Sequence, residues 1–331
     1  VPFNPFPRLS KWLASSAIIL GALVIATTAS ATTIIRLAHT LNPTDARHLA
    51  AKHFGALVEQ RSAGAIKVEV FPSSQLGGQV EIFEGLKLGT IEMNIAGSTH
   101  LANLIPTFGL FDLPYLAPDV KSFIALLDGD VGQTLLDRLP RVGMRGLAYS
   151  EVGFRHIYTR APVTSMSDLK GRTIRIPGNA IYSDTMSAFG ARPTPMAIAE
   201  IFTALQQGAI GGAENLIPYY RNSGHFEVAR HLALTYHAAL PSVVIVSDVF
   251  WSRLTPEQRT LIKDAAKEAA LHERKLTDEL SVKALADLPG LGVTIHRPDL
   301  KPFRDAAAKI YDKHANKIGA DVIQTVRAAF H

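Results

Sequence analysis

The chain contains no cysteine, which excludes a disulfide scaffold, a thiolate-bound zinc or iron–sulfur centre and a cysteine nucleophile. Charge is sparse as well. Charged residues make up 19% of 331 positions, and 34 Lys and Arg against 29 Asp and Glu leave only +5, too diffuse for a nucleic-acid surface. Catalytic signatures are missing. There is no Gly-x-Ser-x-Gly elbow, no Gly-x-x-x-x-Gly-Lys-Ser/Thr phosphate loop and no Gly-x-Gly-x-x-Gly after the first strand. His272-Glu273 begins like a zinc-protease helix, but residue 276 is Leu and the second ligand is absent. The histidines are scattered. His48 with His53 and His231 with His237 are the nearest sets, and neither has the i,i+4 spacing of a helical metal pair. Nothing in the sequence calls for a metal or a cofactor.

Long apolar runs are confined to the N-terminus. Trp12–Ala26 is interrupted only by Ser15 and Ser16, follows Arg8 and Lys11, and leads to Ala29-Ser30-Ala31. This basic, apolar, small-residue order predicts a cleavable export signal over residues 1–31 and a periplasmic location. Removing that segment leaves 32 basic and 29 acidic groups, a net +3. No later segment approaches membrane-spanning length.

What remains is ordinary globular composition, 47% hydrophobic, with alternating strand and helix periods. Thr33–Ala38 reads as a strand. Thr44 and Asp45 cap a helix with apolar positions Leu49, Phe54, Leu57 and Val58. Ile66–Val70 is a strand, Pro72–Gly78 a loop, Val80–Leu88 a helix ended by Gly89, and Ile91–Ala96 a third strand. The rhythm restarts after residue 144, with strands at Met144–Tyr149, His156–Tyr158, Thr173–Ile176, Ala209–Glu214 and Ser242–Ser247. Thr255-Pro256-Glu257-Gln258 opens a helix of some thirty residues, long enough to lie across two domains. Pro298–Phe330 is helical. The fold class is α/β, with two hinged halves around a cleft. No flexible linker separates them, so strands and a helix make the crossings, near 150–155 and 237–242.

Three stretches carry the chemistry: Gly153-Phe154-Arg155-His156-Ile157-Tyr158, then Asp168–Gly178, then Pro193–Met196 through Ala204–Asn215. With Pro72–Gly77, Leu113-Pro114-Tyr115 and Leu254–Arg259 in the same order, the chain resembles the substrate-binding proteins of tripartite ATP-independent periplasmic (TRAP) transporters. The resemblance covers the whole chain after the signal. It implies a two-domain periplasmic binding protein with a long helix spanning both lobes: residues 32–152 plus about 241–280, and 153–240 plus about 281–331. It also implies that Arg175 pairs with a ligand carboxylate, and that Arg155 and Asn215 face the same ligand.

The residues support those assignments on their own terms. A planar carboxylate wants two parallel N–H donors, which a guanidinium supplies and an ammonium does not. Strand alternation places Arg175 on the opposite face from Ile174 and Ile176. An internal Asp or Glu is the structural alternative as its partner. Glu214 should point away from Asn215 along the strand. Tyr219 is a candidate wall of the site. On the opposing half, polar residues after the strands are candidates: His39, Thr40, Asn42, Gln75, Ser98 and Thr99.

The reading is a monomeric periplasmic receptor that binds a small organic acid, a sugar acid in preference, and delivers it to a TRAP-type membrane permease, with no nucleic-acid partner. The alternatives are the same role for a C4-dicarboxylate or 2-oxo acid, and an exported α/β enzyme acting on an acidic sugar. His39 with Glu214 would be that enzyme's acid–base pair.

Overall fold

A computed structural model describes residues 32–330. The export-signal expectation falls on residues 1–31, outside the described residues. Nine strands form one mixed sheet in the order β2-β1-β3-β8-β4-β7-β5-β6, with β9 beside β8. The strands are β1 (Thr33–Ala38), β2 (Ile66–Phe71), β3 (Met93–Gly97), β4 (Met144–Thr159), β5 (Thr173–Ile176), β6 (Arg192–Pro195), β7 (Gly212–Asn215), β8 (His231–Ser247) and β9 (Thr294–His296).

Register shows how one sheet makes two halves. The C-terminal part of β8, Ser242–Val246, pairs antiparallel with β3, and β3 and β2 flank β1 in parallel. The N-terminal part of β8, His231–Ala233, pairs with β9, while the end of β4, His156–Thr159, pairs with β7. β5 joins β7 to β6 in parallel. β4 and β8, 16 and 17 residues long, run antiparallel through both halves. Their register shifts between Tyr149 and Val152 and again between Arg155 and Ile157, and Tyr236 sits at φ +49° opposite the second shift. Such bulges bend and twist a strand pair locally. The two strands expected at 144–149 and 156–158 are therefore one continuous strand, broken in pattern by its bulges.

Each half buries its sheet between two apolar layers. In the first, Ile35, Leu37, Met93 and Val246 face Phe54, Val58 and Ile262, and on the other side Phe83, Leu86, Phe111 and Phe123 pack under Val243 and Ile245. In the second, Tyr158, Leu205, Tyr220 and Leu232 form one layer and Ile174, Ile176, Tyr182, Met186 and Phe189 the other.

The Pro256–Asp287 helix spans both. Its start is closed by a reciprocal cap, in which Thr255 Oγ1 accepts from Gln258 N–H and Gln258 Oε1 accepts from Thr255 N–H. Ala265, Ala266 and Ala269 let it approach the first half, and Ala284 packs into the second. The C-terminal helices, Lys301–Ile318 and Ala320–Phe330, also reach both cores: Phe303 and Ala307 join the second half, and Ile310, Ile318, Ile323 and Val326 the first.

Asp45 caps the Ala46–Arg61 helix as expected, accepting from Arg47 N–H. Its buried face runs through Arg47, Ala50, Ala51, Phe54 and Val58. Leu49, read as a core position, is 41% exposed because it lies one residue off that stripe.

Phe111 is fully buried, with edge-on contacts to Phe108, Phe123 and Tyr149 at centroid distances of 6.3, 5.9 and 5.5 Å. Phe111→Ala should lower the unfolding free energy by about 3–5 kcal/mol, read from the urea midpoint at constant slope. A loss below about 1 kcal/mol would show that this layer collapses to fill the space.

Candidate functional site

Between the halves lies a cavity of about 690 Å³, within the ordinary range for a small-molecule site. Its rims are joined by hydrogen bonds. Asn103 Nδ2 donates to the Gly178 carbonyl at 2.9 Å, Asn42 Nδ2 to that of Asn222 at 3.4 Å, and Asn222 Nδ2 to that of Thr44 at 3.2 Å. Deeper in, Asn179 caps the Ala180–Ala188 helix and reaches back, donating to Asp112 Oδ2 at 2.9 Å and to the Thr99 carbonyl at 3.2 Å.

Of the residues singled out from sequence, Arg155, Arg175, Asn215, Tyr219 and Thr40 line this cavity. Thr99 lines it as well, whereas His39, Gln75 and Ser98 do not. His39 is fully buried behind it, bonded through Nε2 to His48 Nδ1 at 3.1 Å. Gln75 is exposed on a loop whose Ser73 and Ser74 adopt left-handed backbone, which turns Ser74 inward in its place. Ser98 opens a short helix and faces the core, leaving Thr99 toward the cleft.

The arginines differ in how their charge is met. Arg155 on β4 is 3% exposed and lies across the end of β7. Its Nε and Nη2 bind both carboxylate oxygens of Glu214, Nη2 also meets the Glu214 carbonyl at 2.8 Å, and Nη1 donates to Asn215 Oδ1 at 3.1 Å. The long Arg155 side chain wraps the strand end and collects both. Burial opposes ionisation of Glu214, but Arg155 outweighs it and holds the carboxyl below its usual value.

Arg175 on β5 is equally buried, yet it has no carboxylate partner among the described residues. Its Nε and Nη2 donate to one backbone carbonyl, that of Met196, at 3.0 and 2.7 Å, and its Nη1 edge is left for the cavity. Burial pulls this guanidinium below its usual value, and the neighbouring Arg155 charge adds to the pull against Glu214. An uncompensated buried cation is costly, and an anion beside it removes the cost.

Sequence reasoning missed several residues of the cavity wall, among them Ser74, Gln79, His100 and Asn103 and, most consequentially, Arg47 and Glu151. The last two form a buried ion pair at 2.7 Å. Arg47 had a signal, since a charged residue stands on the apolar stripe of its helix. Glu151 stood in the bulge between two apparent strands and had none. The proposed His39–Glu214 acid–base pair does not form: His39 bonds His48, while Glu214 bonds Arg155 and, at 3.4 Å, His237.

Residues 37–318 match the family model described as bacterial extracellular solute-binding protein, family 7. The chain belongs to that family. The 2,3-diketo-L-gulonate-binding periplasmic protein YiaO of Escherichia coli K12 is 34% identical, over 93% of this chain and 95% of its own. A TRAP periplasmic solute-binding protein from Pseudomonas putida F1, solved with D-glucuronate, superposes with a TM-score of 0.86 at 34% identity, covering 89% of this chain and 97% of that one. Another, from Sulfurospirillum deleyianum and solved with succinate, gives 0.86 at 30% identity, covering 90% and 99%. The fold is thus that of the two-lobed TRAP solute-binding proteins, and this binding protein is a solute receptor rather than an enzyme.

Several acids around the site are held protonated. Burial pushes Asp112 up to about 8 against Arg155, and its Oδ1 and Thr99 Oγ1 are both buried without partners. Burial likewise raises Asp45 to about 7 and Glu273 to about 8. These native values lie above those of the unfolded chain, so the folded state holds protons that the unfolded state has released. Stability contributed this way is present at low pH and is lost as pH rises from about 4 to about 8. Buried His39 and His156, held to about 3, act oppositely, but only below about 6.5. The unfolding free energy should therefore fall between pH 6.5 and 8.5, and fall less in Asp112→Asn. Urea titrations at the two pH values check this. A stability that rises with pH over that interval would refute it.

Proposed function

We propose that this binding protein captures a sugar-acid monoanion in the cleft and presents it to a TRAP-type membrane permease. The observation that carries the reading is Arg175, a buried guanidinium with an open edge on the cavity and no carboxylate partner among the described residues. A ligand carboxylate there receives parallel charge-assisted hydrogen bonds in a water-poor space. The other two arginines on the cavity are already matched, Arg155 by Glu214 and Arg47 by Glu151. One unmatched cation suits one carboxylate. The rest of the wall is rich in neutral polar groups, including Thr40, Ser74, Gln79, Asn103 and Asn215, which suit hydroxyls. The glucuronate-bound relative has a ligand of this kind.

In this reading the chain is exported by residues 1–31 and works as a periplasmic monomer with no nucleic-acid partner. The lobes are residues 32–152 with about 241–280, and 153–240 with about 281–331. They hinge where β4 and β8 carry their bulges. The ligand favours the closed state because only there do both walls touch it, so closure reports occupancy to the permease.

Arg175→Lys should weaken D-glucuronate binding by well over tenfold in calorimetric titration, since a point-charge ammonium replaces the planar fork. Unchanged affinity would refute the carboxylate assignment.

A further inference from the structure

We propose that Arg47 and Glu151 form a second recognition site in the cleft, a donor–acceptor pair that reads hydroxyls on the ligand's carbon chain and turns away a second carboxylate. The proposal rests on the sugar-acid reading above and deepens it. Arg47 and Glu151 are 5% and 4% exposed and both line the cavity. They come from different elements, the first turn of the Ala46–Arg61 helix and the bulged part of β4. Arg47 Nη2 donates to Glu151 Oε2 at 2.7 Å and to Ser242 Oγ at 2.6 Å, and Ser242 Oγ donates to the same Oε2 at 3.1 Å. All these bonds use one nitrogen of the fork and one oxygen of the carboxylate. Arg47 Nη1 and Glu151 Oε1 have no hydrogen-bond partner among the described residues.

An open donor beside an open acceptor matches a hydroxyl, which accepts and donates at once. It mismatches a carboxylate, which only accepts and would lie against the Glu151 charge. The other acids packed against Arg47, Asp45 and Glu273, are the two whose ionisation burial opposes, so the repelling charge is that of Glu151. Asp45 fixes the Arg47 backbone N–H at 3.0 Å, and Glu273 on the long helix approaches Arg47 Nε at 4.0 Å. Two imidazoles also feel the Arg47 charge, His39 and His100, and burial pulls them down to about 3 and about 4, so neither adds a cation beside it. Arg175 binds the carboxylate head and this pair reads the hydroxylated tail. A site built to bond a hydroxyl discriminates strongly against ligands that lack it, because its own buried groups are then left unpaired.

The test titrates galactonate and succinate into the wild-type protein, Glu151→Gln and Arg175→Met. Wild type should prefer galactonate. Glu151→Gln should weaken galactonate at least tenfold and strengthen succinate, because the repelling charge is gone. A merely structural role would weaken both alike, so an unchanged galactonate-to-succinate ratio overturns the proposal. Glu151→Asp serves if the Gln variant does not fold. It keeps the charge but withdraws the acceptor, so galactonate should weaken without a gain for succinate, and unchanged galactonate affinity overturns the proposal. Arg175→Met should lose both ligands. If it binds galactonate as wild type does, the carboxylate reading fails instead, whatever the Glu151 variants do.

Discussion

A guanidinium taken out of water without a counter-charge is the constraint around which the cleft is arranged. Arg175 cannot leave its place, because β5 holds it between β6 and β7 and the Met196 carbonyl holds two of its donors. A carbonyl dipole offsets only part of the cost of burying a full charge. The charge of Arg155 is already met by Glu214 and that of Arg47 by Glu151. Among the described residues the site therefore carries one positive charge in excess, that of Arg175.

The scaffold makes that imbalance usable. β4 and β8 belong to both halves, and the alanine face of the Pro256–Asp287 helix lies against both, so the halves share covalent spans rather than a tether. The cavity falls where those spans cross. Glu151 and Ser242 stand at the crossing, and Glu273 faces it from the long helix. Groups that line the cavity are thus continuous with the strands and helix that join the halves.

Much of this was legible in the chain. The caps at Asp45 and Thr255 announced their helices, since a side-chain acceptor before an apolar stripe is a local signal. Arg175, set between isoleucines, announced a buried cation because strand alternation is also local. Legibility failed where a long side chain or a bulge intervened. Alternation points Glu214 away from Asn215, which gives no hint that one side chain, Arg155, reaches across the strand end to both. Gln75 looked like the polar tip of its loop, but left-handed backbone at Ser73 and Ser74 hands that place to Ser74.

What the sequence determined by itself was the type of those elements marked by caps and periodicity, and a buried arginine on β5. These follow from periodicity, capping and side-chain chemistry, which act over a few residues. What only the tertiary structure decided was which charges are spent on one another. Arg47 lies 104 positions from Glu151 and Arg155 lies 59 from Glu214. No local pattern couples residues so far apart. Their pairing arises because the crossing strands bring them together where water, the alternative partner for each charge, is excluded.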